Sequence, residues 1–222
     1  MTPVYKRLSF LKRHPTLNLE EFHAYYLHHH GPLAAAQPGF RRYAYGYVQN
    51  HVLRPQASCI AAFDGLTCTY QVPRADYTRG FFHTDDYRRV VRPDEERVFD
   101  LEATRSVLAV EAGAEGARAG RLKYLLLSSL DDDAIAACLS RGAAMPGFAG
   151  AVFNRLLIAT ATGLGGGNGT GFGCDALLEL WLEEAQPLDA VAALIGAEAL
   201  VLQVREHVIY WQDRPAGLLA QD

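Results

Sequence analysis

Residues 38–48 read PGFRRYAYGYV, and the opening tripeptide returns 108 positions later as Pro146-Gly147-Phe148. Each copy stands between a helix-like run and a strand-like one, so the chain reads as two copies of one unit. In the first copy Tyr43, Tyr45 and Tyr47 alternate with Ala44, Gly46 and Val48. That is the period of a strand, and it predicts the three tyrosines on one face.

Upstream, Val4 to Leu11 has strand content. LNLEEFHAYYLHHH (17–30) opens with Asn18 followed three residues later by Glu21, the pattern of a capping box. Leu19, Phe22, Tyr26 and His30 share one helical face, and Gly31-Pro32 predicts the helix end near the third histidine. Downstream come a strand around Cys59 to Thr69 with a turn at Asp64-Gly65, helical pieces over 76–92 and a strand over 104–111. The order is βαββαβ. AGAEGARAG (112–120) reads as a linker, and residues 121–222 repeat the order in degenerate form.

A split βαβ unit forms a four-stranded antiparallel sheet with both helices on one face. The bare faces of two such sheets are best covered by each other. The expected fold is therefore α+β: two ferredoxin-like βαββαβ repeats, 1–111 and 121–222, with sheets packed face to face as an intrachain barrel. The expected functional cavity is the space between them.

The bulk composition narrows the function. Of 222 residues half are hydrophobic, and the formal net charge is −4 with basic residues scattered, which gives no pull toward nucleic acid. The N-terminal MTPVYKRLSFLKRHP has no continuous apolar core, so neither a secretory signal nor a membrane span is expected, and a cytoplasmic protein is. Cys59, Cys68, Cys138 and Cys174 show no CxxC pairing and read as buried thiols. GLGGGNGTGFG (163–173) lacks the lysine of a phosphate-binding loop and stands between two strands, so it reads as a hairpin loop at the barrel mouth.

RLSFLKRHPTLNLEEFHAYYLHHHGPL followed by PGFRRYAYGYV resembles the EthD-like branch of the dimeric α+β barrel superfamily. The resemblance covers most of residues 4–111: Phe22, Tyr26, His30-Gly31-Pro32-Leu33, Pro38-Gly39, Asp94-Glu95, Phe99 and Asp100 stand in matching places. It implies the barrel fold, here as a fused tandem. It also implies a range of activities: cofactor-independent cyclases, dehydratases, decarboxylases and isomerases on aromatic or polyketide-like compounds, small monooxygenases, and members with no known activity.

Consecutive helical residues point about 100° apart, so His28, His29 and His30 cannot converge on one metal ion. Only His30 falls on the apolar face, where an imidazole can take and give a proton near neutral pH; the plainer alternative is a histidine capping a helix end. Its counterpart at the repeat offset is Cys138, and Tyr43, Tyr45 and Tyr47 answer to Ala151, Phe153 and Arg155, so these features belong to the first half alone. Asp94 matches the family position for a carboxylate beside the histidine; flanked by Arg92 and Arg97, it could equally form a surface ion pair. Tyr26, Tyr43, Tyr45, Tyr47 and His83 are the candidate substrate contacts, with Asp64 a lesser candidate.

The expected activity is cofactor-independent acid/base chemistry, a lyase, cyclase or isomerase acting on a small apolar or aromatic oxygenated substrate, with neither cofactor nor metal. The alternatives are a small monooxygenase and a binding protein for an apolar ligand. No nucleic acid or membrane partner is expected, and the chain is compatible with a homodimer.

Overall fold

The computed structural model describes residues 3–53, 63–71, 80–157, 174–196 and 199–212. Cys59 and the glycine-rich run 163–173 lie outside the described residues. In β1 (Tyr5–Leu11), Lys6, Leu8 and Phe10 point one way and Arg7, Ser9 and Leu11 the other. That alternation separates the interior of a barrel from the surface beneath the helices.

The capping box is present: Glu21 donates its backbone N–H to Asn18 Oδ1 at 2.9 Å, and Asn18 donates to Glu21 Oε2 at 2.8 Å. It starts α1 (Leu19–Tyr25). The helix does not stop at His30 as the glycine-proline pair led us to expect. It widens into a π turn over Tyr26–His30 and continues as α2 (Gly31–Ala36). A proline inside a helix lacks an N–H and presses on the carbonyl one turn back. The extra residue in the widened turn relieves both problems, with Gly31 donating to Tyr26 O five residues earlier. The carbonyl of Tyr26 also accepts from buried Gln49 Nε2 at 2.8 Å, which ties the turn to the sheet.

Gly31 is the point of closest approach. A Cβ there would lie 2.6 Å from Gln49 Nε2 and 3.3 Å from Ile209 Cγ2. Gly31→Ala therefore gains helix propensity but pushes Gln49 off its partners, and we expect a net loss of about 1 kcal/mol in urea denaturation.

Pro38-Gly39-Phe40 opens a short helix, α3 (Pro38–Tyr43), which takes up the start of the expected strand. In the second half Gly147 instead takes φ +70 and Phe148 begins a strand, so one tripeptide serves two local structures. The tyrosine stripe is broken. Tyr43 ends α3, and β2 (Ala44–Val52) has a bulge between Ala44 and Gly46. The extra residue turns Tyr45 into the barrel and leaves Tyr47 under the helices.

β3 (Gly65–Gln71) follows, then a single helical turn at Phe81–His83, a second π turn at Tyr87–Val91 and α4 (Arg92–Val98). This helix repeats the earlier solution, with Arg92 donating to Tyr87 O just before Pro93. β4 (Arg105–Gly116) continues through much of the expected linker, because Gly113 to Gly116 pair with Phe153 to Gly150. β5 (Leu122–Ser128), α5 (Asp132–Ala143), β6 (Phe148–Leu157), β7 (Ala176–Leu182), α6 (Leu188–Ala192) and β8 (Leu200–Trp211) complete the second half.

The strands close into one antiparallel barrel in the order β1-β3-β2-β8-β5-β7-β6-β4. Within it lie the sheets 4-1-3-2 and 8-5-7-6, each the order of a ferredoxin-like unit, joined edge to edge by β2–β8 and β4–β6. Joining both edges leaves neither sheet with unpaired backbone at its rim. The space between the sheets is filled. Leu8, Phe10, Tyr45, Leu66, Leu125 and Leu202 pack there. Among them Lys6 and Lys123 flank Glu179, each ammonium 2.7 Å from the carboxylate. The expected cavity between the sheets is thus replaced by a packed, ion-paired core.

Candidate functional site

The two π turns bring the site together. His30 is the last residue of the first, and Asp94 follows the second by one helical turn. His30 Nδ1 lies 2.8 Å from Asp94 Oδ2, and Tyr25 donates its hydroxyl to Asp94 Oδ1 at 2.6 Å. His30 is 5% exposed and Asp94 4%, so the surface ion-pair reading of Asp94 does not hold. Burial pushes the Asp94 carboxyl up, but the hydrogen bonds from His30 and Tyr25 outweigh it and hold the group below the usual carboxylate range. An ionised Asp94 requires a proton on Nδ1, which leaves Nε2 of the neutral ring with its lone pair. Nε2 has no hydrogen-bond partner among the described residues. The edge of the ring packs against Phe99, centroid to centroid 4.9 Å.

His30 lines a cavity of about 50 Å³ between the helices and the outward face of β1, β3 and β2. One side of this cavity is polar. Arg7 and Ser9 come from β1, Thr67 and Thr69 from β3, Tyr47 from β2 and Glu95 from α4. Arg7 stacks its guanidinium 4.6 Å from the ring centre of Phe82. Glu95 accepts from Tyr87 Oη at 2.7 Å, and burial raises its carboxyl above the usual range. The other side is apolar, with Leu11, Ala34, Phe40, Val91 and Phe99. A site of this size holds a few waters or the reactive end of a ligand, well below the ~300 Å³ that a whole drug-sized molecule fills.

Of the sequence candidates, His30, Asp94 and Tyr47 come together here. The other five go elsewhere. Tyr26 is wholly buried one turn before His30 and does not line the cavity; it touches the lining through its ring on His30, centroids 5.9 Å apart, and through Thr67, 2.5 Å from its hydroxyl. Tyr45 is inside the barrel and Tyr43 packs on Gly80 at the end of α3. His83 is exposed and pairs with Arg88, while its neighbour Phe82 lines the cavity. Asp64 clamps the start of β3, accepting from Arg13 Nη1 at 2.6 Å and facing Lys12 at 3.2 Å. Cys138 is a core thiol that donates to Leu194 O.

Arg7 and Tyr25 were not singled out from the sequence, and Glu95 stood only as a match to the family pattern, with no role. For Arg7 a signal existed: it shares with Ser9 and Leu11 the face of β1 that the helices cover, where a cation needs a reason to be.

The three consecutive histidines part as helical geometry requires. His30 faces the cavity, His29 is half exposed and 3.3 Å from Asp94 Oδ1, and His28 faces a separate groove. Among the described residues no three His, Cys, Asp or Glu side chains are arranged to hold a metal ion, and no helix is long and apolar enough to cross a membrane.

Compared with solved structures, the chain is similar to an anthrone oxidase-like protein at 11% identity and TM-score 0.55, covering 94% of each chain. It is similar also to a proposed monooxygenase from Lactobacillus acidophilus NCFM, at 6% identity and TM-score 0.47 over 93% of this chain and 94% of that one. A proposed chlorite dismutase matches at 10% identity and TM-score 0.49, over 94% and 96%. At 11% identity the likeness to the first of these is one of fold. No curated protein matches the chain. Residues 14–102 match the family model described as the EthD domain, the stretch that carries His30, Asp94 and both π turns. The matched stretch, somewhat under half of the chain, lies in an α+β barrel that the same chain closes.

Proposed function

We propose that the chain is an acid/base enzyme that removes a proton from a small oxygenated substrate and stabilises the resulting enolate or phenolate. One observation carries this reading: a buried His30–Asp94 pair whose imidazole lines a cavity shared with the Arg7 guanidinium. His30 Nε2 takes the proton from an acidic C–H or O–H, and the electron pair moves onto the substrate oxygen. Arg7 faces that oxyanion, and Asp94 stabilises the imidazolium. The substrate places its carbonyl or phenol among Arg7, Ser9 and Thr69, with its apolar body toward Phe40 and Phe99.

From the anion, reprotonation at another carbon is an isomerisation, loss of a β-hydroxyl is a dehydration, and attack on an internal carbonyl closes a ring. Each needs the proton that His30 carries and no further reagent. The monooxygenase reading begins with the same anion: with dioxygen, an activated CH2 becomes C=O and the second oxygen atom leaves as water. The fused tandem, with units 1–111 and 121–222, belongs to this proposal, with the chemistry in the first unit.

The test is proton exchange. Acetylacetone and 2-tetralone are incubated with the protein in D2O, and loss of the α-proton signal is followed by NMR with an oxygen electrode in parallel. Exchange above the buffer rate that disappears in His30→Gln is the expected result; oxygen uptake identifies the oxygenating branch. Tight binding without exchange would return the protein to the binding class.

A further inference from the structure

A second concavity, of about 450 Å³, lies between α1 and the paired strands β2 and β8 and shares no lining residue with the His30 cavity. Three imidazoles form a row along it. His23 and His51 have ring centroids 4.7 Å apart, and His51 and His207 are likewise separated by 4.7 Å. His28 and Arg205 also line the groove, with Leu19, Leu27 and Leu53 as apolar wall. Among the described residues Glu20 is the one acid in the lining.

The row is held firmly. His51 stacks on Tyr26 at 5.0 Å and bonds through Nε2 to Gln49 Oε1 at 3.0 Å, and His23 Nε2 meets the Asp64 carbonyl at 3.2 Å. We propose that this groove is a binding site for a small organic carboxylate, whose charge is met by Arg205 and the histidine row and whose apolar body lies on the leucines. The proposal is independent of the chemistry assigned to His30.

The electrostatics favour an anion over a cation. Burial lowers all three histidines, His51 to about 3; Arg205 lowers each further, and neighbouring imidazoles add to this at His51 and His207. Other charges reach the row from several elements. Arg13 acts on His23 in the same direction; the Asp64 carbonyl and carboxylate raise His23, second only to burial, and Glu206 raises His207 weakly. A bound carboxylate supplies the missing counter-charge, so proton uptake and anion binding favour each other. The affinity therefore rises as the pH falls through the histidine range. A metal ion would be repelled by Arg205.

Benzoate, ionised throughout, is titrated calorimetrically at pH 7.5 and 5.5. We expect saturable binding at least tenfold tighter at pH 5.5, a loss of at least fivefold in Arg205→Gln at both values, and a smaller pH effect in His207→Gln. Both substitutions are at solvent-accessible side chains, so folding is preserved and is checked by circular dichroism. Absence of saturable binding, pH-independent affinity, equal binding of benzyl alcohol, or affinity unchanged in Arg205→Gln would each overturn the proposal; the last would place benzoate in the other cavity.

Discussion

His30→Gln lowers kcat/KM for proton removal by about 10²- to 10⁴-fold, the usual contribution of a positioned general base. Glutamine can still offer an N–H to Asp94, so the buried carboxylate keeps a donor and the fold is spared. What is lost is the basic nitrogen on the cavity side. Asp94→Asn behaves differently. Its amide oxygen can still accept from Nδ1, which preserves the ring orientation, but no charge balances the imidazolium as it forms. We expect kcat to fall about tenfold or more with KM little changed, measured by steady-state kinetics on whichever substrate the exchange assay identifies.

The same carboxylate also links stability to pH. Asp94 titrates below its unfolded value, so its pairing contributes stability that is present above about pH 4 and is lost as pH falls through the lowered value. In Asp94→Asn the acid limb of the stability curve is correspondingly flatter.

Glu179→Ala destabilises the protein by about 3–5 kcal/mol in urea denaturation at pH 7, the cost of breaking a buried ion pair by removing one partner. Glu179 and Lys6 are fully buried and Lys123 is 3% exposed. Burial pushes the Glu179 carboxyl up, but Lys123 and Lys6 hold it well below the usual range. Asn154 Nδ2 adds a hydrogen bond at 3.1 Å, and Glu111 lies 2.8 Å from Lys6. Without Glu179 two ammonium groups face each other in the core. The triple replacement Lys6→Met, Lys123→Met, Glu179→Leu removes the three most buried charges, leaves Glu111 paired with Arg118 and Glu206 partly exposed, and is expected to recover part of the loss. Lys6 is on β1 of the first half, and Lys123 and Glu179 are on β5 and β7 of the second. The cluster therefore acts on the docking of the two sheets, and the single variant should loosen that junction first, visible as early hydrogen exchange in β4 and β6.

Much of this could be read from residue order. Alternation in β1, the capping box at Asn18 and Glu21, and the recurring Pro-Gly-Phe gave strands, a helix and two matching halves, because each signal is carried within a few residues. The pairing of His30 with Asp94 was also legible, through resemblance to a known family. The cavity itself was not. Nothing local announces that Gly31-Pro32 and Arg92-Pro93 will be absorbed by π turns: the carbonyl that the first turn exposes is satisfied by Gln49, from another strand. Nor does the sequence show that a bulge at Ala44–Gly46 sends Tyr45 and Tyr47 to opposite faces, since a bulge is a matter of register with β3.

The placement of the site has the same cause. Local pattern established which elements form and which face of each is apolar. Closing the barrel at both edges packed its interior around Lys6, Glu179 and Lys123, and the His30 cavity lies on the other face of the sheet. Arg7 and Glu95 joined His30 there because strand and helix meet only in three dimensions.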